Sequence, residues 1–319
     1  MSSAAIQRRL GSEDVHPTAA PAKYDTIALK AHDERKRVDG KHTVPSLIKI
    51  LTPSGLESVS YTASSLADAA PYEPRDGVYT ITNTYHKTRV LNFDAHLDRM
   101  ENSARLSGTP IQLDRGKIRA ALREMIETAD FGDVRFRITA APSLRNNLIL
   151  SMEPFKPLAP EVYSTGIRVI TLPHAARTAP DAKTTDWMLD RRILEDSLPP
   201  GIFTGLLIGE SGKILEGLSS NFYAVLDNKL RTSGASVLPG MAQKVVFAIA
   251  EQVLPLIKIA VTMSDIPKLS EAFITSASRG IVPVIEIDGT PVGTGIPGAK
   301  TAALRGYYQK WVDVHLEAL

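Results

Sequence analysis

Two residues in this chain have the types that covalent amine chemistry requires. Lys183 lies in Ala182-Lys183-Thr184-Thr185-Asp186-Trp187, and Glu216 lies in Leu215-Glu216-Gly217-Leu218-Ser219-Ser220-Asn221-Phe222. A lysine amine becomes a nucleophilic catalyst when it condenses with an aldehyde cofactor, and a ring nitrogen on such a cofactor calls for an acidic partner. Among 37 Lys and Arg and 35 Asp and Glu, one such pair carries little weight, because a solvated charge is the ordinary reading. The segments around the pair add the weight.

Those segments are Asp76-Gly77-Val78-Tyr79, His96-Leu97-Asp98-Arg99 with Ser103-Ala104 behind it, the Lys183 and Glu216 runs, Leu238-Pro239-Gly240, and Ile274-Thr275-Ser276 leading to Pro283-Val284. In order and approximate spacing they resemble the class IV fold of pyridoxal-phosphate enzymes. That family includes branched-chain and D-amino-acid aminotransferases, (R)-amine transaminases and aminodeoxychorismate lyases. The resemblance runs from about residue 72 to the end and fades before it.

The resemblance implies a role for each matching residue. Lys183 would carry the pyridoxal 5'-phosphate cofactor as a Schiff base and then move the substrate α-proton. Glu216 would face the pyridine nitrogen, favouring the protonated ring that acts as an electron sink. Arg99 would bind the phosphate with the forked donors that a lysine lacks. The turn Gly240-Met241-Ala242 opens a helix, so its free amides would form an anion site for the same phosphate. Ser276, Ala277 and Ser278 would lie at the second phosphate segment, and Tyr79 would line the substrate side.

Three departures stand out. Relatives usually have Gly-Ile-Thr where this chain has Gly240-Met241-Ala242, and the second hydroxyl donor aligns near Ala277. Each lost hydrogen bond to a charged group is worth roughly 0.5 to 3 kcal/mol, so cofactor binding about tenfold to a few hundredfold weaker is expected unless Ser276, Ser278 or Arg279 compensates. On the substrate side, Thr80 replaces a glutamate often found beside the tyrosine. The strand Val134-Arg135-Phe136-Arg137-Ile138-Thr139 puts Arg135 and Arg137 on one face by its period of two. One of them, with Arg137 the candidate, could bind a substrate carboxylate; a solvated strand face is the alternative. Neither the arginine and histidine pattern of D-amino-acid aminotransferases nor the glycine-rich signature of branched-chain ones is matched.

Composition bounds this reading. At 319 residues, 43% hydrophobic and 23% charged, the chain has room for two domains of a soluble protein. A formal charge of +2 with no basic stripe argues against nucleic acid, and no apolar run is long enough to span a membrane. With no cysteine there is neither disulfide nor thiolate chemistry. No histidine pair has ligand spacing, so no metal site is expected. Gly293-Thr294-Gly295-Ile296-Pro297-Gly298-Ala299-Lys300-Thr301 imitates a phosphate loop, but Ala299 intrudes before the lysine, and it reads as the turn before the last helix.

Residues 1–43 are rich in Ala, Ser, Pro and charge and read as a mobile extension. Arg8-Arg9 is not followed by the apolar core of a secretory signal, so a cytoplasmic protein is expected, with organelle targeting by the extension as the alternative.

The elements that must position the chemistry follow from periodicity and punctuation. Strands are expected at 46–51, 78–85, 90–93, 134–140 and 148–152, with helices at 96–106 and 114–128, making a small α/β domain over 44–155. A proline-rich linker covers 156–166. Strands at 167–171, 203–209, 222–226 and 230–232, with helices at 188–196, 241–253 and 300–317, make a larger domain over 167–319. The class is α+β, and the resemblance implies a fold-type IV arrangement with a C-terminal pseudo-barrel. The expectation is a class IV aminotransferase acting between an amino donor and a 2-oxo acid acceptor, as a homodimer. An aminodeoxychorismate lyase-type reaction and a non-catalytic relative with a degraded phosphate site are the alternatives.

Overall fold

The computed structural model describes residues 45–319, so the extension expected over 1–43 lies outside the described residues. Two sheets organise the rest. The first is built from β1 (Leu47–Thr52), β2 (Gly55–Ser58), β3 (Val78–Tyr85), β4 (Arg89–Leu91), β5 (Val134–Ala140) and β6 (Leu148–Pro154). The second takes β7 (Ile167–Leu172), β8 (Thr204–Ile208), β9 (Ile214–Gly217), β10 (Ser220–Leu226), β11 (Lys229–Arg231), β12 (Leu256–Ile257), β13 (Glu271–Ser276), β14 (Gly280–Ile287) and β15 (Thr290–Pro291). The last strand, β16 (Leu316–Ala318), returns to the first sheet beside β4.

The first sheet is antiparallel throughout, in the order β16-β4-β3-β5-β6-β1-β2. One face is covered by two helices. The short helix α1 (Leu66–Ala69) precedes them; α2 (Phe93–Leu106) and α3 (Arg115–Ala129) then pack Phe93, Leu97, Met100, Ile118, Leu122 and Met125 against Phe136, Ile138, Leu150 and Met152. Emptying one such site, as in Phe136→Ala, costs about 3–5 kcal/mol. Asp114 starts α3 by accepting the Lys117 amide at 2.9 Å. The apolar run ending in Phe93 does not continue as strand: Asn92 takes a left-handed conformation, φ 49°, and Phe93 opens α2.

The second sheet closes on itself. Strands β10, β13, β14, β7, β8 and β9 pair in turn, and β9 pairs again with β10, which makes the barrel. Every residue of β10 is buried because both of its faces are covered. Phe222, Ala224 and Leu226 point to one cluster with Val169, Leu206 and Ile274. The intervening Tyr223 and Val225 meet α6 (Met241–Ile249) and α7 (Ala299–Val314) through Val245, Val246, Leu304 and Tyr308. A continuous apolar run is therefore what a doubly covered strand demands. Helix α4 (Pro160–Thr165) lies between the two sheets in sequence, and α5 (Thr185–Asp196) connects β7 to β8.

Several element bounds differ from expectation for local reasons. Helix α5 starts three residues earlier than 188, because the Thr184 side chain caps it by accepting the Trp187 amide. Helix α7 stops at Val314, so its tail is free to form β16. The glycine-rich run before α7 is a turn, with Gly293 and Gly295 at positive φ. Its helix N-terminus is already filled, since the Glu271 carboxylate accepts from the Lys300 and Thr301 amides at 3.1 and 2.7 Å.

Candidate active site

A cavity of about 510 Å³ lies between the two sheets, within the usual size of small-molecule sites. Every residue singled out from the sequence lines it: Lys183, Glu216, Arg99, Gly240, Met241, Ala242, Ser276, Ala277, Ser278, Tyr79 and Arg137.

Lys183 is held by its backbone from two sides. Its carbonyl accepts from the Tyr79 amide at 3.0 Å, and its amide donates to Ser103 Oγ at 3.1 Å. Thr185 completes the pairing with the start of β3, as its amide and hydroxyl meet the Gly77 main chain at 2.9 to 3.0 Å. The loop therefore delivers the lysine next to β3 whatever its side chain does. The Lys183 Nζ lies 4.5 Å from the centroid of the Tyr79 ring. Burial lowers its pKa to about 8; the Tyr79 charge opposes that shift, while Arg99, Arg191 and Arg177 add to it. The result is an amine far easier to deprotonate than a surface lysine. Burial alone would raise the Tyr79 phenol, but Arg191, Lys183 and Arg177 outweigh it and bring the pKa down to about 7.

Helix α2 turns a second face to the site through His96, Arg99 and Ser103, at the three- and four-residue steps of a helix. Arg99 is buried, with no carboxylate within ion-pair distance among the described residues. Its guanidinium donates to Thr80 Oγ1 at 3.2 Å and to the Pro239 carbonyl at 3.4 Å, and its Nε has no partner. Thr80 Oγ1 accepts from Arg99 and also lies 2.8 Å from His96 Nδ1, in a hydrogen bond whose donor is set by the imidazole tautomer. Burial, with Arg99 and Lys183 nearby, holds His96 well below its ordinary pKa and therefore neutral.

Opposite Arg99, Gly240 opens α6 with no side chain capping the helix. A Cβ on Gly240 would meet Asn221 Oδ1, whose own amide is fixed to the Leu238 carbonyl at 2.9 Å, so only glycine fits this turn. An uncapped helix start, a buried guanidinium with an orphaned donor and the unpartnered, buried Ser220 Oγ gather at one wall. This set fits a phosphate. Ala242 Cβ joins the apolar cluster under α6 and Ser276 Oγ accepts from Arg279 Nε at 2.8 Å, while Ala277 is only partly buried.

Glu216 sits at the end of β9, buried, and accepts from the Leu238 amide at 3.2 Å. Burial raises its pKa and Arg177 opposes the rise, donating to Oε1 at 2.8 Å from a side chain 5% exposed. Arg177 also donates to the Ala182 carbonyl at 2.7 Å and lies 5.5 Å from the Trp187 ring, tying the lysine loop to the carboxylate. Nothing in the sequence pointed to Arg177, which lies in an irregular loop with no period.

Arg135 and Arg137 do share the cavity face of β5. Arg137 is engaged within the chain: its Nε donates to Glu73 Oε1 at 2.6 Å, it donates to the Leu66 carbonyl at 2.9 Å, and Thr139 Oγ1 donates to the other Glu73 oxygen at 2.5 Å. Glu73 lies in the loop before β3, where no pattern marked it.

A partly buried, easily deprotonated lysine, a buried carboxylate and an anion cup on one cavity make a centre that can bind a phosphorylated aldehyde and use its ring as an electron sink. The comparisons agree. The amino-transferase class IV family profile matches residues 77–287, and the chain belongs to that family. It is 25% identical over 267 residues to the D-alanine aminotransferase of Bacillus licheniformis, covering 80% of this chain and 93% of that protein. It is 24% identical to the branched-chain-amino-acid aminotransferase of Pseudomonas aeruginosa, covering 74% of this chain and 83% of that one. The Escherichia coli branched-chain amino acid aminotransferase structure superposes with a TM-score of 0.70 at 18% identity, over 84% of this chain and 98% of that one. These neighbours share the fold-type IV architecture. Among the described residues no helix is long and apolar enough to cross a membrane.

Proposed function

We propose that this class IV aminotransferase moves an amino group between an amino acid or amine and a 2-oxo acid, with pyridoxal phosphate bound through Lys183. The observation that carries the reading is Lys183, partly buried at the cavity wall, its amine lowered to about 8 and its main chain held between β3 and α2. When bound, the cofactor supplies an electron sink for the substrate carbanion. Arg99, the amides of Gly240 to Ala242 and the hydroxyl of Ser276 or Ser278 hold its phosphate. Ala277 leaves space at that cup. Glu216 faces the ring nitrogen, its charge steadied by Arg177. With the cofactor in place, Lys183 would take the α-proton from substrate and pass it to the cofactor carbon, and the Tyr79 ring covers the amine on one side.

The same reading divides the chain into units at 44–155 and 167–319 around a linker at 156–166, supported by an apolar cluster under each sheet, although Leu319 packs into the first cluster and a third joins Leu91 to Tyr223 and Leu304. It also takes the active molecule as a homodimer, the assembly that the family resemblance implies.

The test is an absorbance spectrum with added pyridoxal phosphate, then borohydride trapping and peptide mapping, with product analysis. A visible band, label on Lys183 and amino transfer to a 2-oxo acid are the expected results. Label scattered over surface lysines would retire the reading in favour of a non-catalytic relative. Pyruvate with 4-aminobenzoate from aminodeoxychorismate would make it a lyase.

A further inference from the structure

The helix that carries Arg99 begins without a cap of its own. Asn92, the residue before α2, sits in the left-handed conformation and its side chain makes no capping bond, although asparagine is among the residues best suited to one. The acceptor comes instead from across 223 residues of sequence: Glu317 Oε2 takes the Asp94 amide at 2.9 Å. A carboxylate at that place is also favoured by the positive end of the helix dipole.

Glu317 is itself held in place. It lies on β16, opposite Val90 of β4, and the next residue but one, Leu319, is buried in the first apolar cluster. Arg119 on α3 donates to the same Oε2 at 3.1 Å, lies 2.9 Å from Asp94 Oδ1 and stacks its guanidinium 4.7 Å from the centre of the Phe93 ring. With the Glu317 side chain 33% and Arg119 19% exposed, water competes less here than at an open surface. A strand that follows α7, a cation on α3 and the first turn of α2 therefore meet at one point.

From that turn the helix runs directly to the site. Arg99 comes five residues after Asp94, about 7.5 Å along the axis, and Ser103 follows one turn further. Ser103 Oγ donates to the Arg99 carbonyl at 2.8 Å and accepts the Lys183 amide at 3.1 Å, so α2 is tied to the site beyond Arg99 as well. Before Arg99, the bond to Glu317 fixes the turn where Asn92 does not.

We propose that Glu317 is a positioning residue for the phosphate arginine: by accepting the Asp94 amide it seats the first turn of α2, and through it Arg99, opposite the Gly240 turn. The inference rests on reading that cup as the cofactor phosphate site. In molecules whose turn is unseated the cup lacks its guanidinium, and the apparent affinity for a phosphate falls in proportion to the fraction seated. The aldehyde and ring are affected less, because Glu216 sits on β9 and Lys183 keeps its main-chain bond to Tyr79.

The experiment compares pyridoxal phosphate with pyridoxal, the same ring and aldehyde without the phosphate, by absorbance titration of the full-length native and variant proteins. In Glu317→Ala the affinity for pyridoxal phosphate falls about threefold to tenfold while that for pyridoxal holds, so the ratio of the two falls with it. Glu317→Gln, which keeps an oxygen for the Asp94 amide, restores the ratio to within about twofold of native. Should Glu317→Ala fail to fold, Glu317→Asp, one methylene too short for that amide, serves in its place with the same expectation. An unchanged ratio, an equal loss of affinity for both aldehydes, or a glutamine variant no better than alanine overturns the inference; the equal loss is what a strand that merely supports the fold would give. A native protein with no preference for the phosphate form retires the cofactor reading and the inference together. A native preference that survives Glu317→Ala retires the inference alone.

Discussion

The main-chain carbonyl of Lys183 accepts a hydrogen bond from the amide of Tyr79 at 3.0 Å, while the lysine Nζ sits 4.5 Å from the centre of the same tyrosine's ring. Backbone and side chain thus meet one partner, and the main-chain bond holds the Lys183 Cα beside the ring near which the amine sits. The two groups titrate near each other, at about 8 and about 7. Their protonation behaves as that of a pair.

That coupling predicts the pH dependence of cofactor capture. The Tyr79 charge raises the Lys183 pKa, so removing the phenol lowers it further. In Tyr79→Phe, the midpoint for the rate of pyridoxal phosphate capture moves to lower pH than in the native protein, because the free amine is the nucleophile. Stopped-flow absorbance between pH 6 and pH 9 reads it, with about half a unit or more expected. A shift upward would mean that the phenol does not act as the charge described.

Arg177→Gln leaves Glu216 buried without its cation. Removing one partner of a buried pair costs about 3–5 kcal/mol, read as a lower urea midpoint at neutral pH. The sign with pH is fixed by burial: the folded-state pKa of Glu216 is already above its ordinary value and rises further in the variant. The penalty therefore grows as pH rises above the unfolded pKa and is relieved as pH falls towards it. A variant whose loss of stability does not vary from pH 5 to pH 8 would contradict the assignment.

At the phosphate cup, Arg99→Lys keeps the charge and loses the fork. Thr80 and the Pro239 carbonyl already hold two of the arginine's donors, so the geometry is set for a guanidinium. Pyridoxal phosphate affinity, followed by its spectrum, falls about tenfold to a hundredfold. Unchanged affinity would move the phosphate elsewhere in the cavity.

Ala277→Thr tests whether the missing hydroxyl matters. The position is only partly buried and faces the cavity, so the larger side chain has room. Affinity for the cofactor rises about threefold to tenfold if the hydroxyl reaches the phosphate. No gain would mean that neighbouring hydroxyls already satisfy that oxygen.

The sequence alone carried the local architecture and the identity of the central pair. Strand β5 and helix α3 repeat every two and every 3.6 residues, and each such pattern marks a face that has to be buried. Lys183, Glu216 and Arg99 were legible because each lies in a run of several matching residues. Phe93 was not legible, since a short apolar run satisfies a strand or a helix equally until Asn92 turns the chain. Strands β13 and β14 were missed as elements although their motif residues were noted. The closure of β9 onto β10, the Arg177–Glu216 and Arg137–Glu73 pairs, and the meeting of Glu317 with the first turn of α2 were decided only in three dimensions. Backbone periodicity records which residues must be buried. It does not record which loop ends come together, and the charges of this site lie largely on such ends.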